Sequence, residues 1–308
     1  MAKILLFFRK AMLVSVGAIL SLVIMFTGGL QAANPPEPEN ADTLISQISV
    51  LADVHMETFE TFRYRGFAGC LRGLPSEKNT LVLLGDNTMN GQITEYLVLY
   101  GLMNRYGPKD AVVAPGNHDV RINFMSGGDA TICEGNKRSN DYYGAYLNEV
   151  VAKPYYSRKI TGATLIVLAS EQEVEGVGDY MSAEQLAWLE EALTEAAAEP
   201  VFVFSHDPLP GTFGQSFYDS AQAAAIRGFM QAHGGAYFLS GHVHASVPNV
   251  TVLEEGGVRY VNVPALMSNE SPTTTGFGFQ IELYPDSVLL RLRDFENGEW
   301  IEGKEFRF

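Results

Sequence analysis

Five of the six histidines in this 308-residue chain follow directly on short apolar runs, and no other feature constrains the fold as much. "SVLADVH" ends in Asp53 and His55, "LVLLGDN" carries Asp86, and "AVVAPGNHD" ends in Asn117, His118 and Asp119. "VFVFSHD" carries His206, and "YFLSGHVH" ends in His242 and His244. Unbroken β-branched and aromatic runs of this kind suit strands buried on both faces. In an α/β sheet, ligands bind beyond the carboxyl ends of the strands. Five strands delivering polar residues there point to one shared site. Only His233, in a helical stretch, falls outside the pattern.

Taken singly, each block has a plain structural reading. Asp-x-His is a common turn, and Gly85-Asp86 reads as a helix cap. Gly-Asn-His-Asp reads as a turn, since Gly and Asn accept left-handed backbone. His206 reads as a satisfied buried histidine, and His242 with His244 as a surface loop. Yet period-two spacing points His242 and His244 the same way, and Gly241 before them permits a close backbone approach. Two imidazoles facing one spot suggest a metal. The order of all five blocks, each at a strand end, decides for a site.

The rest of the chain supplies the frame. The runs "ISQISVLA", "NTLVLLG", "DAVVAPG", "TLIVLAS", "PVFVFSH" and "AYFLSG" alternate with helical patterns. The clearest helix covers 182–199, with Ser182 and Gln185 as a capping box and Leu186, Leu189 and Leu193 on one face. Two more cover "GQITEYLVLYGLMNRYG" and "DSAQAAAIRGFMQAHG". From residue 249 the pattern turns to strands alone. Alternation of this kind predicts an α/β class and one domain over 46–308. The polar stretch 121–157 reads as a long insertion, either a wall of a substrate cleft or a floppy loop.

The net charge of −15 argues against a broad nucleic-acid footprint. It also means that a phosphate-bearing substrate needs local cations. Residues 1–33 carry Lys3, Arg9 and Lys10, then an uncharged run from Ala11 to Leu30, and read as an export signal. The expected location is therefore periplasmic, secreted or at the cell surface. The alternative is an uncleaved membrane anchor at 11–30. Removing residues 1–33 takes away three bases and no acids, moving the charge from −15 to −18. Residues 34–45, rich in Pro and acid, read as a linker. Cys70 and Cys133 leave one bridge or two free thiols open.

In order, D-x-H, G-D, G-N-H-D, a lone H and G-H-x-H resemble the calcineurin-like metallophosphoesterase superfamily, over residues 47 to about 300. The resemblance implies a four-layer α/β/β/α sandwich carrying two divalent metal ions. It assigns Asp53, His55 and His244 to one ion, Asn117, His206 and His242 to the other, and Asp86 to both. Mixed oxygen and nitrogen donors suit Mn, Fe or Zn better than Mg or Ca. The implied reaction is hydrolysis of a small phosphorylated substrate, a mono- or diester, by a hydroxide held between the ions. His118 would face the leaving group as proton donor. Cyclic-nucleotide or other phosphodiester hydrolysis is one alternative. A non-catalytic scaffold of the same fold is another, although no ligand position is lost.

One departure stands out. Relatives often carry G-D-x-x-D, whose second Asp orients the histidine of G-N-H. Here "GDNTMNG" places Met89 there, which leaves Asp119 or Asn87 as candidate partners of His118. "GEWIEGKE" at 298–305 matches a phosphate-loop spacing but ends in Glu among strands, and is set aside.

Overall fold

The structure, a computed structural model, describes residues 2–30, 32–120, 132–174, 178–196, 199–214, 216, 218–267 and 276–308. The chain starts with α1 (Ala2–Phe26) and then alternates β1 (Ser46–Leu51), α2 (Thr61–Arg72), β2 (Asn79–Leu84), α3 (Ile93–Tyr106) and β3 (Ala111–Ala114). A short α4 (Asn117–Val120) and α5 (Ile132–Leu147) follow. Next come β4 (Tyr156–Ile160), β5 (Ala163–Val167), the hairpin β6 (Gln172–Val174) and β7 (Gly178–Tyr180), α6 (Ala183–Glu195), β8 (Val201–Phe204), α7 (Ser220–His233) and β9 (Ala236–Ser240). The last part is β10 (Val252–Glu255), β11 (Val258–Asn262), β12 (Phe277–Tyr284), β13 (Ser287–Asp294) and β14 (Glu299–Arg307).

Two six-stranded sheets result, in the orders β14-β13-β12-β1-β2-β3 and β10-β11-β9-β8-β5-β4. Parallel pairing joins β1, β2 and β3, with Leu51 opposite Leu83 and Leu84 opposite Ala114. It also joins β5, β8, β9 and β11, while the outer strands run antiparallel. The register brings the C-terminal ends of the site-bearing strands level within each sheet.

Alternate residues along each strand divide the burial. Ile48, Val50, Val82 and Leu84 share a buried cluster with Phe202, Phe204, Tyr237 and Leu239, so the sheets pack face to face. On the outer face of the first sheet, Leu81, Leu83 and Val113 meet Phe67, Leu99 and Tyr143 of the helices. On that of the second, Ile166, Val203 and Phe238 meet Leu189, Leu193 and Ile226. Every residue of β1, β3, β5, β8 and β9 is therefore buried on one side or the other, which is why these runs lack polar alternation, while the edge strands β4, β10 and β14 keep exposed positions. The architecture is the expected α/β/β/α sandwich, built from two mixed sheets.

Three local readings change. The 121–157 stretch is not a plain insertion, because 132–147 form α5. Its Tyr142, Tyr143 and Tyr146 stack on Tyr96 and Tyr100 of α3; residues 121–131 lie outside the described ones. In α6, Ser182 caps the backbone N–H of Gln185 as expected, at 3.1 Å. The Gln185 side chain does not complete the box; it spans both backbone groups of Ala169, at 3.0 and 2.9 Å. The 34–45 segment is extended but tethered: Arg293 donates to the Asn34 carbonyl and Glu39 N–H to Glu282 Oε2. Cys70 is a free, fully buried thiol, its pKa pushed up by burial.

The fold makes a direct demand on Phe204, which has no exposed surface and ends the strand before His206. Phe204→Ala should cost about 3–5 kcal/mol of stability, read as a lower urea midpoint at unchanged slope.

Candidate metal centre

The loops leaving β1 and β2 run side by side. Asp53 N–H donates to the Gly85 carbonyl at 3.0 Å, His55 N–H to that of Asp86 at 2.8 Å, and Met56 N–H to that of Asn87 at 3.0 Å. At the end of the second sheet, Gly241 N–H donates to the His206 carbonyl at 3.0 Å. These bonds pair four of the five blocks, and His118 N–H, donating to Asp86 Oδ1 at 2.8 Å, brings in the fifth.

The backbone bends sharply to do so. Asp53, His55, Asp86, His242 and His244 all have left-handed φ, between 44° and 66°. Asp, Asn and His are the non-glycine residues that best tolerate this region, and strained backbone of this kind concentrates at functional sites. Two glycines allow the close approaches. A Cβ on Gly116 would lie 2.2 Å from the Asp86 backbone nitrogen, and one on Gly241 would lie 2.7 Å from Asp53 Oδ2.

Ligand atoms converge in two main groups, Asp53 with His55 and His244, and Asp86 with His206 and His242. Asn117 joins the second, its Oδ1 3.2 Å from His242 Nδ1. Asp86 lies between them: Oδ2 is 3.1 Å from His206 Nε2 and 3.8 Å from His55 Nε2. His55, Asp86 and His118 form a third, overlapping set.

A divalent cation fits these groups. Asp53 Oδ1 and His206 Nε2 are buried and lack a hydrogen bond of acceptable geometry. Nevertheless Asp53 Oδ1 is 3.1 Å from His244 Nε2, and His206 Nε2 is 3.1 Å from Asp86 Oδ2. Close polar atoms left without a bond in this way can share a cation as their common partner. Ligands at about 2.0–2.2 Å from one ion lie roughly 3–3.5 Å apart, which is the spacing observed. The nitrogen and carboxylate donor set suits a borderline transition ion.

The electrostatics agree. Burial opposes charge on Asp86, but His206, His55 and His118 outweigh it and hold the carboxyl far below its usual range. Burial pushes His55 down to about 4 against the pull of Asp86 and Asp53, leaving the neutral imidazole that a ligand must be. Burial would also lower His206, yet Asp86 and Asp53 carry it well above its ordinary value; there the proton stands in for the positive charge that a cation between the same carboxylates would supply, and binding would release it.

His118 occupies the rim. Its Nε2 is 3.9 Å from Asp86 Oδ2, and its backbone N–H donates to Asp86 Oδ1 at 2.8 Å. Its Nδ1 donates to the main-chain carbonyl of Met89 at 2.6 Å. A carbonyl can only accept, so this bond fixes the tautomer. Position 89 thus supplies the orienting oxygen after all, from backbone rather than side chain. Asp119, one of the two candidates from the sequence, serves a different purpose. Its Oδ1 accepts from Thr88 N–H and Oγ1, and its Oδ2 from Asn87 N–H and Nδ2 and from Gly116 N–H. Burial, with Asp86 adding, pushes Asp119 up to about 6. Asn87 Nδ2 is engaged with the Ala114 carbonyl at 2.8 Å. The sequence reading also passed over Asp207, whose Oδ1 is 3.3 Å from His242 Nδ1; adjacency to His206 was its one available signal.

Comparison with known proteins agrees with this geometry. The family profile for calcineurin-like phosphoesterases matches residues 46–246. A dimetal phosphatase from Danio rerio superposes with a TM-score of 0.55 at 16% identity, covering 86% of this chain and 98% of its own. A purple acid phosphatase from yellow lupin (Lupinus luteus) seeds gives 0.55 at 14% identity, covering 89% of this chain and 55% of its own. At these identities both speak for the fold. No curated protein matches the sequence.

The Asp119 carboxylate joins the β2 and β3 ends through five bonds, three of them from backbone N–H groups. Asp119→Asn would turn an amide against donors and should cost about 3 kcal/mol or more. Chemical denaturation of the purified protein measures it, and divalent-metal affinity should fall in parallel.

Proposed function

This chain belongs to the calcineurin-like phosphoesterase family of metal-dependent phosphoesterases, and from that premise we propose that it is a binuclear hydrolase of small phosphate mono- or diesters. The observation that carries the binuclear reading is the placement of Asp86 between two ligand groups. Asp53, His55 and His244 would hold one divalent ion, and Asn117, His206 and His242 the other, with Asp86 contacting both. Mn, Fe or Zn suits these donors. Such ions supply Lewis acidity, making water acidic near neutral pH and neutralising phosphoryl oxygens.

The chain's own residues do the rest. Ionised Asp86 holds the His118 main chain through Oδ1 while presenting Oδ2 to the centre, so the leaving-group side and the ligand side are fixed together. Met89 holds His118 Nδ1–H, so in the imidazolium, which carries both N–H groups, Nε2–H is the one free to give a proton or hydrogen bond to the departing oxygen. The centre's positive charge also answers the −15 of the whole chain, since an anionic substrate needs cations at close range.

Elemental analysis and Mn²⁺ titration test the ligand sets. Asp86→Ala should lower occupancy of both ions, and Asp53→Ala mainly one. Fewer than one ion per active chain in the unsubstituted protein would reject the binuclear reading.

A leaving-group series tests His118. His118→Ala should slow alkyl phosphate esters by about 10²–10⁴-fold and nitrophenyl esters far less, because nitrophenolate departs without a proton. Met89→Ala should leave that contrast intact, because the orienting oxygen is a backbone atom. Equal losses for both ester types would reduce His118 to a positioning residue.

A further inference from the structure

Helix α1 has two unlike faces. On the inner face Leu13, Leu20 and Ile24 are buried in the same cluster as α2, α3 and α5. Gly17 lies against α3 so closely that a Cβ there would come within 2.4 Å of the Gly101 carbonyl oxygen. Polar contacts fix the same docking. Arg9 Nη2 meets Asp141 Oδ2 at 2.8 Å, Lys10 Nζ donates to the Tyr146 carbonyl at 2.6 Å, and Arg105 Nε donates to Ser21 Oγ at 3.0 Å. This face is part of the folded domain.

The outer face is apolar along its whole length. Ile4, Phe7, Val14, Ile19, Leu22 and Phe26 all point away from the protein, Phe7 at 67% exposure and Phe26 at 80%. No charged residue occurs from Ala11 to Leu30, and Arg9 and Lys10 are committed inward. At 25 residues the helix is about 37 Å long, and ten large apolar side chains exposed between Ile4 and Phe26 give it the kind of apolar surface that marks an interaction site.

Two properties identify what covers it. Lys3–Phe26 has a mean hydropathy of 1.9, a composition hydrocarbon accepts. Protein interfaces of this extent usually carry a polar rim and regular hydrogen bonds, whereas this face offers neither. With Arg9 and Lys10 turned inward onto Asp141 and Tyr146, the exposed Lys3 at the start of the helix is the one base of this segment left to meet lipid headgroups, and no acid among the first 33 residues opposes it.

We propose that α1 stays on the mature protein and lies in the interfacial plane of a lipid bilayer, its outer face in lipid and its inner face closing the helical layer over β1–β3. Lying and crossing are exclusive here. A helix threaded through the bilayer could not keep Gly17 on Gly101 or Lys10 on Tyr146. Removal of α1 as a signal would likewise open the cluster that Leu13 and Ile24 complete.

Flotation of the purified full chain tests this, using phosphatidylcholine vesicles with and without phosphatidylglycerol. The chain should rise with both kinds of vesicle, because the apolar face and not net charge holds it there. Ile19→Lys with Leu22→Lys should stay at the bottom at an unchanged unfolding temperature, because both side chains are exposed. Gly17→Leu should lower that temperature by about 4 °C or more. Ser21→Cys with Arg105→Cys should be joined by a short bismaleimide while on vesicles, since the arginine side chain that now reaches Ser21 sets a span too long for a direct disulfide. A mature N-terminus beyond residue 30, an unchanged Gly17→Leu midpoint or failure to cross-link on vesicles would overturn the proposal. So would a vesicle-free dimer that the two lysines dissociate, which would make a second copy the occupant. None of these readouts involves phosphate hydrolysis, so they succeed or fail independently of the phosphoesterase reading.

Discussion

A single buried carboxylate organises this molecule. Asp86 is 2% exposed and touches three of the other four sequence blocks. Its main-chain carbonyl accepts from His55, its Oδ1 from His118 N–H, its Oδ2 faces His206, and its backbone lies where Gly116 alone leaves room. An ionised carboxylate without water is tolerable only where positive charge and hydrogen bonds surround it. The chain provides imidazoles and N–H groups, and a divalent cation held there would complete the compensation. The positions of the two sheets, the crossing loops and His118 all follow from holding this oxygen pair.

The backbone bears the cost of that arrangement. Five of the proposed ligands adopt left-handed φ, at roughly 1–3 kcal/mol each for strained positions of this kind. Asp and His reduce the cost, since they enter that region more readily than other side chains. Residue type is thus selected twice at Asp53, His55, Asp86, His242 and His244, once by coordination chemistry and once by the turn. The same coincidence explains why each block, read alone, passes for a turn.

Side chains with a fixed chemistry were legible in the sequence, and so were strands buried on both faces. All seven proposed ligands and His118 come together, at the ends of the strands read from apolar runs. What escaped had no side-chain signature. The partner of His118 is a carbonyl, which every residue owns, so Met89 looked like a loss. Asp119 looked like a site residue because it follows His118, yet it braces Asn87, Thr88 and Gly116 from within. Helix α5 was hidden by its polar residues, although Tyr142, Tyr143 and Tyr146 at helical spacing were on the page. The 34–45 segment looked free because main-chain tethers to Arg293 and Glu282 leave no mark in composition.

Site assembly and sheet packing are one equilibrium in this fold. Asp53, His55, Asp86 and Asn117 come from the first sheet, and His206, His242 and His244 from the second. Any cation held by Asp86 with His206 therefore spans the sandwich. Its binding free energy adds directly to the contact between Val50, Leu84, Phe204 and Leu239 beneath it. The apolar interface in turn keeps the ligands from spreading, as their mutual repulsion and strained backbone would otherwise drive them to do. Fully buried packing therefore lies under the strained turns: the core supplies the rigidity that lets five strained residues hold their ligand atoms 3.1–3.8 Å from their neighbours.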